Sequence, residues 1–245
     1  QVSFDHYIIH MLNACDSKPK KHEPMKFIHS SDWHIGRQFH NASLLQDQRY
    51  VLNQLIDYMR QESVDALVIA GDIYDRSVPP AAAVELLDEV LQTICLELAV
   101  PVILIPGNHD SAQRLGFGSQ QLKQAGLHIL SNLKEITTPV VIRSNNEVCC
   151  FYGIPYNDPE HVRDQFGVSL SGYDEAHAYL LGLIEPTLDK HSANIVISHC
   201  FVDGGAESES ERPLSIGGAD RVSPESFECF DYAALGHLHS PQTKG

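Results

Sequence analysis

From Met25 onward the chain alternates between short apolar runs and longer amphipathic stretches. Lys26–Ser30, Ala66–Ala70, Val102–Ile105 and Leu127–Leu130 are short and largely apolar, the pattern of strands buried on both faces. Between them, 44–62 places Leu45, Leu52, Leu55, Ile56 and Met59 at helical spacing. Residues 81–98 read as a second helix and 119–125 as a short one. Strands and helices alternating in this way predict βαβ units and a largely parallel sheet. The texture then changes. Val140–Arg143 and Val148–Tyr152 flank Ser144-Asn145-Asn146-Glu147, which predicts an antiparallel hairpin. A helix over 173–188 and strands at 195–198 and 232–235 follow. The pattern implies two sheets in one layered α/β domain, with no internal repeat and no low-complexity linker.

The polar residues gather where the strands end. The first strand runs into Ser31-Asp32-Trp33-His34, the second into Gly71-Asp72 and the third into Gly107-Asn108-His109-Asp110. The strand at 195–198 runs into His199, and the one at 232–235 into Gly236-His237-Leu238-His239. In open α/β sheets ligands bind beyond the carboxyl ends of the strands, so these groups should converge. They are oxygen and imidazole donors without a thiolate, a set suited to Mn²⁺, Fe²⁺ or Zn²⁺. Seven ligands are too many for one ion and fit two ions that share a carboxylate. Glycines 71, 107 and 236 are expected to let the backbone turn sharply where strand becomes loop. His237 and His239 alternate about Leu238 and would face one side of an extended segment. Trp33 is expected to pack and fix its loop, and Asp47 and Gln48 read as helix-surface groups.

Composition narrows the partners. The 245 residues carry 17 Lys+Arg against 32 Asp+Glu, a formal net charge of −15, which argues against holding nucleic acid by bulk positive charge. It does not exclude a nuclease whose local positive charge comes from metal ions. Arg37, Arg76 and Arg114 lie beside the ligand blocks and are candidate phosphate contacts, with solvated loop charge as the alternative. The six cysteines show no CxxC spacing and read as reduced thiols of a cytoplasmic protein. No apolar run has the length of a membrane span. Residues 1–24 have no signal-peptide pattern and are expected to be a poorly ordered or non-native extension before a start at Met25, or else an extra packed helix. The domain is then 25–245.

The order Asp-x-His, Gly-Asp, Gly-Asn-His-Asp, His, Gly-His-x-His resembles the calcineurin-like metallophosphoesterases, over nearly the whole chain from Met25. That resemblance implies an α/β fold in which two mixed β-sheets form a sandwich flanked by α-helices. A narrower resemblance, to the SbcD nuclease subunits of bacterial SbcC–SbcD complexes, rests on three stretches. They are Met25–Gly36, Gly71–Pro80 and the segment from His199 to Gly218, which contains Gly-Gly-Ala-Glu-Ser-Glu-Ser.

The resemblance implies a two-metal nuclease, typically using Mn²⁺ (Fe²⁺, Zn²⁺ or Mg²⁺ being the other options). It would hydrolyse phosphodiesters at DNA ends and hairpins with a hydroxide activated by both ions. One metal would take Asp32, His34, Asp72 and His239, and the other Asp72, Asn108, His199 and His237, with Asp72 bridging. His109 would be the catalytic histidine and Asp110 would orient it by accepting a hydrogen bond. The partners implied are DNA, an SbcC-type SMC-like ATPase and a second nuclease subunit as homodimer, with no membrane. Position 75, where some relatives carry a second histidine, is Asp75 here. SbcD proteins continue past Gly-His-x-His into a capping region and an ATPase-binding segment, so the chain reads as cut off after its last ligand pair. A phosphoesterase acting on phosphomonoesters or cyclic nucleotides, and a non-catalytic scaffold, remain the alternative readings.

Overall fold

The structure, a computed structural model, describes residues 8–12, 25–144, 147–204 and 221–237. In chain order its elements are β1 (Ile8–Leu12), β2 (Met25–Ser30), β3 (Gln38–Phe39), β4 (Ala42–Ser43), α1 (Leu45–Glu62), β5 (Ala66–Ala70) and α2 (Ala81–Gln92). Then come β6 (Val102–Ile105), α3 (Ala112–Leu115), α4 (Ser119–Leu122), β7 (Leu127–Ile129), β8 (Val140–Ser144), β9 (Glu147–Ile154), α5 (Pro159–Phe166) and α6 (Tyr173–Ile184). The last are β10 (Ala193–His199), β11 (Phe201–Val202), β12 (Arg221–Val222) and β13 (Tyr232–Gly236).

Two mixed sheets form. One has the order β1-β2-β5-β6-β7, parallel except for β1, which pairs antiparallel with β2. The other has the order β13-β10-β9-β8, parallel except for the β8–β9 hairpin predicted around 144–147. Strand β5 shows how the layers arise. Its alternate residues Leu67 and Ile69 face a core built with Leu52, Leu55, Ile56 and Met59 of α1 and Leu86 and Val90 of α2. Ala66, Val68 and Ala70 face the other sheet, meeting Phe151, Ile195, Ile197 and Ala234. On the far side of the second sheet, Tyr152 and Val196 pack with Val162 of α5 and Leu180, Leu181 and Ile184 of α6. The result is helices, sheet, sheet, helices, the sandwich the resemblance implied. Small residues on the inner faces let the sheets approach, and Phe27 meets Phe151 edge-on at a centroid distance of 5.5 Å.

Two helices are shorter than their apolar patterns. The second stops as an α-helix at Gln92 and continues through a π turn over Thr93–Glu97, and the sixth ends at Ile184, just before Pro186. Helix α5, opened by Pro159 at its first position, and the two-stranded β11–β12 pairing were not anticipated. No described helix is long and apolar enough to cross a membrane.

Candidate metal centre

All five predicted strand ends lie on the same edge of the sandwich. In the first sheet Ser30 is in register with Ile69, and Ala70 with Ile105, so Asp32, Asp72 and Asn108 leave adjacent strands together. In the second sheet His199 pairs with Gly236, which sets His237 beside it at a ring-centroid distance of 5.2 Å. The sheets meet here. His199 Nδ1 lies 2.8 Å from the Ala70 carbonyl oxygen, and a β-carbon at Gly236 would overlap that same oxygen. A β-carbon at Gly107 would overlap the Asp72 carboxylate. These two glycines are therefore required for space, not for a turn; Gly71 is the one of the three whose φ, +90°, only glycine adopts freely.

The loops that carry the candidate ligands are held in an uncommon backbone conformation. Asp32, His34, Asp72 and His237 all have positive φ, of 55°, 43°, 51° and 88°. Such angles cost about 1–3 kcal/mol each outside glycine and persist only where surrounding contacts impose them. Those contacts are visible. The Asp32, His34 and Ile35 N–H groups donate to the carbonyls of Gly71, Asp72 and Ile73 at 2.9–3.0 Å, locking the first loop onto the second. The His237 N–H donates to Asp32 Oδ2 at 3.1 Å. Trp33 packs against the first core and donates from Nε1 to Ser30 Oγ at 2.7 Å, the loop-fixing role expected of it.

Asp72 sits at the centre and is almost fully buried. Its Oδ1 accepts from the His109 N–H at 2.8 Å. Its Oδ2 stands 3.6 Å from His199 Nε2, 3.7 Å from His34 Nε2 and 3.9 Å from His109 Nε2. Burial alone would raise its pKa, but the charges of His199 and His34 and the hydrogen bonds it accepts hold the carboxyl far below its usual range. Burial likewise opposes charge on His199; the Asp72 carboxylate outweighs it and lifts that histidine to about 9.

The donor set fits divalent ions. Two donors each about 2.1 Å from a shared ion stand roughly 3.0–3.4 Å apart, close to the spacings around Asp72 Oδ2. Asp32, His34 and Asp72 present ligand atoms within 4.8 Å of one another. His199 Nε2 lies 2.9 Å from Asn108 Oδ1. With Nδ1–H donated to Ala70, a neutral His199 turns a lone pair toward that amide oxygen, so a cation, proton or metal, is what satisfies both atoms. Binding a backbone carbonyl through the other ring nitrogen is also the usual support of a metal-ligating histidine. His239 lies outside the described residues, as does most of the 204–218 segment.

Two expectations change. His109 does not donate to Asp110. Its Nδ1 is 2.8 Å from the Asp75 carbonyl oxygen, and its ring packs edge-on to His34. The Asp110 carboxylate instead accepts from the N–H groups of Ile73, Tyr74 and Gly107 at 2.9–3.0 Å, tying the second and third loops together. Burial lifts its pKa to about 6 against the pull of those donors. Gln48 is no surface group: its amide nitrogen donates to the carbonyls of Trp33 and His34, and its Oε1 accepts from the Gly36 N–H. Of the candidate phosphate contacts, Arg37 is half-buried, Arg76 is exposed and 3.7 Å from Asp75, and Arg114 is exposed.

A profile of calcineurin-like phosphoesterases matches residues 25–241. The chain belongs to the calcineurin-like phosphoesterase family. Among curated relatives, two proteins named as the SbcD component of the nuclease SbcCD are similar to this phosphoesterase chain. The one from Staphylococcus epidermidis is 38% identical over 218 residues, and the one from Staphylococcus saprophyticus is 38% identical over 220 residues. Each alignment covers 89% of this chain and 57% of the relative, so the phosphoesterase chain spans little more than half their length.

Proposed function

We propose that this phosphoesterase domain is a metal-dependent DNA nuclease, with Asp32, His34, Asp72, Asn108, His199, His237 and His239 holding two divalent ions, Mn²⁺ by preference. It would act as an exonuclease on duplex ends and an endonuclease on hairpins and single strands. The whole protein would be the nuclease subunit of an SbcC-type ATPase complex in DNA repair and recombination, dimeric in that complex. Free thiols at Cys95, Cys149, Cys150, Cys200 and Cys229 support a reducing, cytoplasmic setting.

The observation that carries the reading is the buried Asp72 carboxylate, one oxygen held by backbone and the other facing histidines from two different blocks. Two ions held there would supply positive charge at the scissile phosphate and bring the pKa of water toward neutrality. The chain's own residues supply the rest. With Nδ1–H donated to the Asp75 carbonyl, His109 turns Nε2 into the site, and a proton carried on Nε2 can be given to the departing sugar oxygen. Asp110 sets the distance between the loops that carry Asp72 and His109. That both relatives are named as nuclease components is what favours nucleic acid over small esters.

The deciding experiment incubates end-labelled duplex and hairpin DNA with the chain and Mn²⁺ or EDTA, alongside nitrophenyl phosphate esters and metal analysis. Manganese-dependent shortening of labelled DNA is expected. Ester hydrolysis without DNA cleavage would shift the reading to a small-substrate enzyme, and bound metal without either activity would leave a scaffold.

A further inference from the structure

We infer that Gln48 is a positioning residue for the ion held by Asp32 and His34. This rests on the two-metal reading above and adds to it a residue from a different element. Gln48 lies in the first turn of α1, four residues before Leu52, so its side chain leaves the helix on the face that Leu52, Leu55, Ile56 and Met59 bury. That face is fixed in the core, and a group projecting from its first turn is fixed with it. The side-chain amide spans this loop with both N–H donors and its carbonyl oxygen engaged. Nε2 donates to the Trp33 carbonyl at 3.1 Å and the His34 carbonyl at 2.7 Å, and Oε1 accepts from the Gly36 N–H at 3.0 Å.

The two accepting carbonyls flank the His34 α-carbon. Two donors pinning them fix the rotation about that residue, and so the direction in which the imidazole leaves the backbone. His34 is among the residues held at positive φ, and Asp32, two residues earlier, is another. The rungs from Asp32, His34 and Ile35 to the Gly71–Ile73 loop hold one side of this segment, and Gln48 holds the other. The Arg37 N–H and the Leu44 N–H close the loop back toward α1 through the His34 and Arg37 carbonyls. An amide is the side chain that serves here: donors and an acceptor are needed from one planar group, which neither a carboxylate nor an ammonium provides.

The test is a manganese titration of the full chain by calorimetry, with the unfolding temperature of the metal-free protein measured in parallel. Gln48→Met keeps length and packing while removing all three hydrogen bonds. Gln48→Glu keeps an acceptor for Gly36 but faces the Trp33 and His34 carbonyls with a carboxylate. Asn53→Ala, at an exposed position of the same helix, is the control. The expected result is two manganese sites in the parent chain and the control. In Gln48→Met one of the two should weaken by about 10–100-fold, the range for outer partners of metal ligands. Gln48→Glu should weaken the same site. Asp32→Asn should abolish that site and identify it. Equal affinity in Gln48→Met and the parent, or a fall in unfolding temperature with both affinities unchanged, would overturn the inference. A parent chain that binds no manganese would overturn the functional reading instead, which keeps the two failures distinguishable.

Discussion

His109 has two ring nitrogens with two different tasks. Nδ1 is committed to the Asp75 carbonyl, and Nε2 stands 3.9 Å from Asp72 Oδ2, slightly farther than His34 Nε2 at 3.7 Å. Geometry also groups His109 with His34 and Asp75 as atoms able to surround an ion. Acid and ligand therefore make opposite forecasts. If His109 is the acid, His109→Ala keeps both metals and lowers single-turnover cleavage by about 10²–10⁴-fold. Metal stoichiometry and rate, measured on the same preparation, check this; loss of an ion would make His109 a ligand. Asp110 shows why such roles need three dimensions. The family resemblance implied that it orients His109, yet its two oxygens accept from the N–H groups of Ile73 and Tyr74 in the neighbouring loop and of Gly107 in its own.

At the scale of elements, the join between α6 and β10 carries a pH dependence. His177 on α6 is fully buried, with Nε2 3.2 Å from Ser198 Oγ and Nδ1 3.3 Å from the Tyr173 carbonyl. A neutral ring satisfies both, donating from Nδ1 and accepting at Nε2. Burial pushes its pKa down to about 4, the Tyr173 carbonyl and Asp174 opposing only weakly. The folded pKa lies below the ordinary value near 6.5, so the unfolded chain takes up the proton first. The stability His177 contributes is complete above about pH 6.5 and is lost as pH falls from there through about 4, a loss of about 3 kcal/mol. Denaturant midpoints of the parent and His177→Gln across this window should converge as the pH drops. Parallel curves would refute it. The elements themselves were readable where burial is two-sided. Strands such as Ala66–Ala70 and Val102–Ile105 are unbroken apolar runs, and each leads into a candidate ligand because the loops begin there. The helices on either face follow from their apolar stripes. Gln48 could not be read, because a glutamine one turn ahead of a buried stripe looks like any solvent-facing residue until the loop folds across it. The β11–β12 pairing joins residues across the 204–218 segment, and two-residue strands leave no periodicity to detect.

For the whole molecule, the question is how a chain with a formal charge of 17 − 32 = −15 would hold a polyanion. Bulk attraction is unavailable, and a duplex approaching such a protein is repelled at long range. Binding must then come from the site itself and from the cations beside it, of which Arg37 is half-buried, Arg114 is exposed and Arg76 already lies near Asp75. Each phosphate neutralised by an arginine releases condensed counterions and steepens the salt dependence by about 0.9 in log K against log salt. Three such contacts give a slope of roughly −3, and two give roughly −2 if the Asp75 pair holds Arg76 back. Duplex binding by the metal-loaded chain, measured between low and physiological salt, should therefore be weak and shallow. Arg114→Ala should flatten the slope by about one contact without changing preference among sequences, because phosphate contacts position a duplex and read nothing of its bases. A slope several times steeper would require a basic surface that these three arginines do not make, and would place the DNA on a different face of the sandwich from the one bearing Asp72.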